Sequence, residues 1–247
     1  MDDLIFNLKS ILKNSKNLVF FGGAGVSTES NIPDFRSKNG LYNAVSKYGF
    51  PPEEILSRTF FEKHTNIFYK YYRENMLNLD ALPNKAHEAL AKLEHMGILK
   101  AIITQNIDGL HQLAGSTNVI ELHGSVHRNY CRRCSKFFEA AHVKNTTNIP
   151  TCDDCGGIIK PDVVLYEESL NFENIDSAIK YIENADTLII GGTSLAVYPA
   201  ASFINYFRGN TLVLINKSST PYDKLADLVI NGAIGDVLSK ATNFEVE

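Results

Sequence analysis

Hydrophobic positions along the chain switch between helical and strand spacing. Leu4, Ile5, Leu8, Ile11 and Leu12 recur at helical intervals, so residues 4–13 predict an amphipathic helix. The unbroken apolar run Leu18-Val19-Phe20-Phe21 follows, with the length and type of a buried parallel strand. The pairing recurs: a helix beginning at Pro83, with Ala86, Leu90 and Leu93 on one face, stops at Gly97, and a strand over 98–104 follows directly. Residues 119–122, 163–166, 187–191, 211–216 and 227–230 predict further strands, with helices over 177–184 and 199–208 between them. Residues 37–80 break the rhythm. They hold Phe60, Phe61, Phe68, Tyr69, Tyr71 and Tyr72 at helical positions, a helical insertion whose rings pack as core. Alternating β and α elements predict an α/β fold: one doubly wound parallel sheet with helices on both faces.

Composition narrows this picture. A chain of 247 residues suits one domain, or one domain with a small inserted module. The net charge of −4 implies no general polyanion-binding surface. Asp2 and Asp3 and the lack of a long apolar core exclude a signal peptide at the N-terminus, and no apolar run reaches membrane-spanning length. The chain therefore reads as soluble and cytoplasmic.

Chemistry concentrates just past the strands. Gly22, Gly23 and Gly25 follow the first strand, and Ser27, Thr28 and Glu29 are residue types that begin helices. Such a corner is either a phosphate cradle or a tight strand–helix turn. Thr28 stands where a dinucleotide fingerprint has its third glycine, and no ribose-binding acid ends a second strand. Pro33-Asp34-Phe35-Arg36 suits a loop folded over a bound cofactor and favours the cradle. Gln105-Asn106-Ile107-Asp108-Gly109-Leu110-His111 sits past the strand over 98–104, where ligands of parallel sheets bind. His123, between a strand and Gly124, can turn its ring into the same crevice and accept a proton near neutral pH. His64, His87 and His95 read as helix-surface or satisfied residues, and His111 as a brace for the 105–108 loop. Thr193, Ser194, Asn216 and Ile234 follow later strands at the same sheet edge.

All four cysteines fall in one segment, Cys131-x2-Cys134-x17-Cys152-x2-Cys155. Two knuckles supply four thiolates to one zinc with no open position, hence a structural metal. Two disulfides are the alternative, disfavoured in a reducing compartment. Arg128, Arg132, Arg133 and Lys136 make this segment locally basic, which reads as a solvated face; nucleic-acid binding is the lesser reading.

In order, GAGVSTESNIPDFRS, TQNIDGLH, ELHGS, the CxxC knuckles, KPDVVLYEE and GTSLAVYPA resemble a sirtuin, an NAD-dependent protein deacylase, over about residues 18–240. The resemblance implies a Rossmann-like NAD domain over 1–124 and 161–247, with the helical insertion near 37–80, and a zinc-ribbon module over 125–160. An acetyl-lysine peptide would lie as a β-strand in the cleft between them, near 163–166 and 195–198. Motif by motif, Ala24, Thr28, Phe35, Arg36, Gln105, Thr193, Ser194, Asn216 and Ile234 would contact NAD. Ile107 and Asp108 would form the nicotinamide pocket, Asn106 would order the ribose and a water, and His123 would be the general base. The acyl oxygen would attack the ribose, nicotinamide would leave, and free lysine and O-acetyl-ADP-ribose would result.

Three departures stand out. Asn31 and Glu167 replace glycines usual in the family. Tyr69 and Tyr72 fall where family members that remove succinyl or malonyl groups carry Tyr-x-x-Arg, so acetyl is expected over acidic acyl groups. Mono-ADP-ribosyl transfer, a zinc-ribbon nucleic-acid binder and a dehydrogenase are the competing readings. His123, the net acidity and the missing ribose-binding acid count against them in turn.

Overall fold

The computed structural model describes residues 1–33, 45–196 and 198–244. Nine strands form two sheets: β1 (Leu18–Gly22), β2 (Leu99–Thr104), β3 (Val119–Glu121), β4 (Gly124–Cys131), β5 (Phe137–Glu139), β6 (Ile159–Val163), β7 (Thr187–Gly191), β8 (Thr211–Asn216) and β9 (Leu228–Asn231). Six of them make a parallel sheet in the order β3-β2-β1-β7-β8-β9. Counted by entry into that sheet, the order is the dinucleotide-fold sequence, which reverses direction between β1 and β7. A crevice opens there, at the carboxyl ends of both strands.

The pleat explains why these strands are apolar throughout. Leu18 and Phe20 face α1 (Asp2–Asn14), α5 (Lys85–His95) and α9 (Ile234–Ala241), which bury Leu8, Leu12, Leu90, Leu93 and Leu238. Val19 and Phe21 face the other way, against Ala178 and Ile182 of α8 (Phe172–Asn184) and Phe203. Covered on both sides, the strands cannot alternate apolar with polar. Helix α5 begins at Asn84, whose side chain accepts from Ala86 N while His87 Nδ1 accepts from Asn84 N. It stops before Gly97, whose φ of 73° suits glycine.

The remaining strands form an antiparallel sheet, β5-β4-β6. Its core is continuous with α2 (Pro52–Ile55), α3 (Arg58–Lys63) and α4 (Thr65–Asn75). Phe60, Phe61, Phe68, Tyr69 and Tyr72 pack in one cluster with Val126, Phe138, Val143 and Ile159. The aromatic stripe is therefore core, as its spacing predicts, and it supports the cysteine segment directly.

Two expectations need correction. Residues 163–166 are no strand of the parallel sheet: β6 ends at Val163 within the small sheet, and Tyr166 makes only an isolated bridge to Ser57. The apolar run is real, but its partners are the small sheet and α3. Residues 199–208 contain a 3-10 helix, Ala200–Tyr206, in place of an α-helix. Among the described residues no helix is long and apolar enough to cross a membrane.

Candidate functional site

The crevice is built first by two glycine turns packed against each other. After β1 the chain makes two short 3-10 turns, Ala24–Val26 and Thr28–Ser30, where the residue types predicted the start of a longer helix. The second turn ends on Asn31 at φ 62°, a left-handed angle that asparagine tolerates. Gly25 N donates to the Gly192 carbonyl at 2.7 Å. A Cβ on Gly25 would sit 2.7 Å from Gly192 Cα, and one on Gly192 would sit 2.4 Å from Val26 N. Both glycines are needed for this approach, which draws the ends of β1 and β7 together.

A hydrogen-bonded chain then crosses the crevice floor. Asn216 Oδ1 accepts from Thr193 N at 2.9 Å, and Gln105 Nε2 donates to Thr193 Oγ1 at 3.1 Å. Asn106 Nδ2 donates to Ser27 Oγ at 3.0 Å, and Ser27 Oγ donates to Asp108 Oδ2 at 2.7 Å. Asp108 Oδ1 accepts from Leu110 N at 3.0 Å, so both carboxylate oxygens are held. Ser27 links two predicted site residues, yet it was read only as a helix starter. Its signal was a hydroxyl directly after the glycine run.

His123 lies in the turn between β3 and β4. Its Nδ1 is 2.9 Å from the Gln105 carbonyl, so Nδ1 carries the proton and Nε2 keeps its lone pair. Burial pushes the imidazole below the ordinary 6.5, while the Gln105 contact pulls it upward. Gly124, next in sequence, has φ 76°, and a Cβ there would fall 1.9 Å from the Asp162 carbonyl. This glycine lets β6 close against the histidine turn, where Val164 N donates to the His123 carbonyl at 3.0 Å.

One cavity of about 660 Å³ joins these parts. Ala24, Thr28, Gln105, Asn106, Ile107, Asp108, His123, Thr193, Ser194, Asn216 and Ile234 all line it. Phe35 and Arg36 lie outside the described residues. The Asn216 side-chain nitrogen is buried and finds no partner among the described residues. It is a donor waiting for an acceptor at the nucleoside end. Ile234 opens α9 where a free turn was expected, and Gly235 N donates to the Glu29 carboxylate at 2.9 Å.

Two histidine expectations are corrected. His87 is fully buried, and His111 packs between it and Phe20. His111 makes no side-chain hydrogen bond among the described residues, so it does not brace the 105–108 loop that way. Burial lowers His87 to about 4 and His111 to about 3, leaving both neutral at pH 7. The bracing contact comes from His127, whose Nε2 donates to the Asp108 carbonyl at 2.9 Å.

The four cysteines converge. Their sulfurs all lie within 4.8 Å of one another, with contacts of 3.4 Å for Cys131–Cys155, 3.7 Å for Cys134–Cys152 and 3.4 Å for Cys155–Cys134. A disulfide requires about 2.05 Å. Four sulfurs around zinc at about 2.3 Å stand roughly 3.8 Å apart, so the cluster fits one tetrahedral zinc with no open position. The nearby cations are locally engaged. Arg128 pairs with Glu121 and Asp162, Arg132 with Glu62, and Lys136 with Asp153 and Asp154, while Arg133 donates to the Cys155 carbonyl. The basic segment is a paired face, with little charge left for nucleic acid.

Fold and site together define a dinucleotide-type α/β protein that carries a structural zinc module beside its crevice. The chain belongs to the Sir2 family, whose model matches residues 23–199. An NAD-dependent protein deacetylase of Clostridium tetani is 64% identical over 233 residues, 94% of each chain. A solved complex of a Sir2 homologue with NAD superimposes with a TM-score of 0.86 at 41% identity, covering 96% of this chain and 92% of that one. A Sir2 structure with a p53 peptide and NAD+ gives 0.83 at 38% identity, covering 94% of both chains.

Proposed function

We propose that the chain is an NAD-dependent protein-lysine deacetylase that transfers the acetyl group from lysine to ADP-ribose and releases nicotinamide. The observation that carries this reading is the single cavity shared by the glycine turns, Asp108 and the unprotonated Nε2 side of His123. The relatives' names and the NAD and peptide complexes of similar structures support it. NAD fits the residues present, because the turns expose backbone close to a ligand and the buried Asn216 amide lacks an acceptor.

In this reading Ala24, Thr28, Thr193, Ser194, Asn216 and Ile234 hold the nucleotide, and Phe35 and Arg36 cover it. Asp108 and Ile107 receive the nicotinamide carboxamide. Gln105 and Asn106 orient the ribose. When bound, NAD supplies a glycosidic carbon that the acyl oxygen can attack. His123 Nε2 takes a proton from the ribose diol, and burial keeps the ring neutral for that task. The division into a nucleotide domain over 1–124 and 161–247 and a zinc module over 125–160 belongs to the same reading, as does a cytoplasmic location, where thiolates stay reduced for zinc.

The peptide is proposed to lie beside 163–166 and 195–198. The N–H groups of Val164, Leu165 and Tyr166 already donate to His123 O, Glu168 Oε2 and Leu56 O. The Val164 carbonyl, on the cavity wall, accepts no hydrogen bond among the described residues. A substrate amide would therefore donate to this wall. Acetyl is preferred over succinyl: Tyr72 is buried in the aromatic core, and Arg73 donates to the carbonyls of Thr147 and Asn148.

Nicotinamide release tests the reading. It is expected only when NAD and an acetylated peptide are both present. Release without peptide, accompanied by ADP-ribosylated protein, would favour mono-ADP-ribosyl transfer.

A further inference from the structure

The wall formed by residues 163–168 is one chain thick. On one side Val163, Val164, Leu165 and Glu168 line the main cavity. On the other, Val163, Val164 and Glu168 line a second hollow of about 270 Å³, together with Lys160, Tyr130 and Asp162. With cavities on both faces, the wall has little side-chain packing to fix its shape. Hydrogen bonding must do so.

The bonds converge on two side chains. Lys160 Nζ donates to the Val163 carbonyl at 3.0 Å, to Glu168 Oε2 at 3.0 Å and, more distantly, to the Pro161 carbonyl at 3.4 Å. Glu168 Oε2 also accepts from Leu165 N at 2.9 Å, and Glu168 N donates back to the Leu165 carbonyl at 3.0 Å. The segment is thereby closed into an arch. The pair is largely withdrawn from water, with side chains 21% and 23% exposed, so screening weakens it less than a surface pair. The arch in turn holds Val164 N on the His123 carbonyl at 3.0 Å.

We propose that Lys160 and Glu168 are a positioning pair for the acyl-lysine substrate: their clamp fixes the Val164 carbonyl relative to His123, so that the substrate amide and the proton acceptor stay in register. This rests on the deacetylase reading. Neither side chain needs to touch NAD. Removing the ammonium leaves the Val163 carbonyl and the Glu168 carboxylate without their shared donor, and the wall can relax into the second hollow. Small displacements of reacting groups carry large rate costs.

Steady-state kinetics of Lys160→Met, Glu168→Gln and Lys160→Arg test this, with acetylated peptide and NAD varied in turn and thermal unfolding recorded for each variant. Lys160→Met and Glu168→Gln are expected to raise peptide KM about tenfold, as befits loss of one charge-assisted bond, with NAD KM and the unfolding temperature little changed. Lys160→Arg, which retains donors, is expected to recover most of the loss. An unchanged peptide KM in Lys160→Met overturns the inference. So does a parallel rise of both KM values with a fall in unfolding temperature, the pattern of a merely structural residue. A wild-type protein that turns over no acetylated peptide would instead overturn the deacetylase reading, a result distinct from any variant effect.

Discussion

His123 Nδ1 lies 2.9 Å from the main-chain carbonyl of Gln105. A carbonyl can only accept, so this contact selects the tautomer and leaves Nε2 as the basic nitrogen. It also ties the histidine turn to the loop that carries Asn106, Ile107 and Asp108.

The pH dependence follows from this relationship. Burial lowers the imidazole from 6.5 and the Gln105 contact opposes it, with a net depression. The base works only when unprotonated, so single-turnover acetyl transfer should hold steady from neutral pH upward. It should fall as pH drops, with its midpoint below the 6.5 of free histidine. A midpoint above that value would assign the limb to another group.

Ser27→Ala should damage catalysis more than its size suggests. The hydroxyl joins Asn106 Nδ2 to Asp108 Oδ2, and its loss leaves both without that partner. We expect deacetylation kcat/KM to drop by about 10- to 100-fold through misplacement of these two side chains. The unfolding temperature should fall only modestly. Wild-type kinetics in the variant would show that the bridge is incidental.

Zinc content and zinc removal test the cysteine cluster. One zinc per chain is expected by elemental analysis. Cys131 and Cys152 belong to the same core cluster as Phe60, Tyr69 and Ile159, so stripping the metal should loosen β4, β6 and the helices above them. Activity and unfolding temperature should fall together. A metal-free chain of full activity and stability would contradict this.

Acyl preference can be read by competition. Arg73 is committed to the carbonyls of Thr147 and Asn148, and Tyr69 donates to the Ile159 carbonyl. An acidic acyl group lacks a bidentate partner from either side chain. Acetyl-lysine peptide should be consumed well ahead of succinyl-lysine peptide of the same sequence. The reverse order would require a cation from elsewhere in the chain.

Much of this arrangement was legible in the residues. Buried parallel strands announce themselves as apolar runs, so Leu18–Gly22, Thr187–Gly191 and Thr211–Asn216 were clear. Cysteine spacing foretold the sulfur cluster because knuckle geometry is local. What failed was decided at long range. Val163 and Val164 look like a central strand, but pairing with β4 claims the first and His123 the second. His87 looks like a helix-surface residue, but the packing of α5 buries it against His111. Ser27 was visible as a hydroxyl, yet its partners are 79 and 81 residues away, beyond any periodicity.

The most direct measurement is mass spectrometry of an acetyl-lysine peptide incubated with NAD and either wild-type protein or His123→Ala. Wild type should remove the acetyl mass and generate O-acetyl-ADP-ribose. The variant should lose that product by about a hundredfold or more, while still binding NAD. Equal deacetylation by both proteins, or an intact peptide with wild type, would contradict the account.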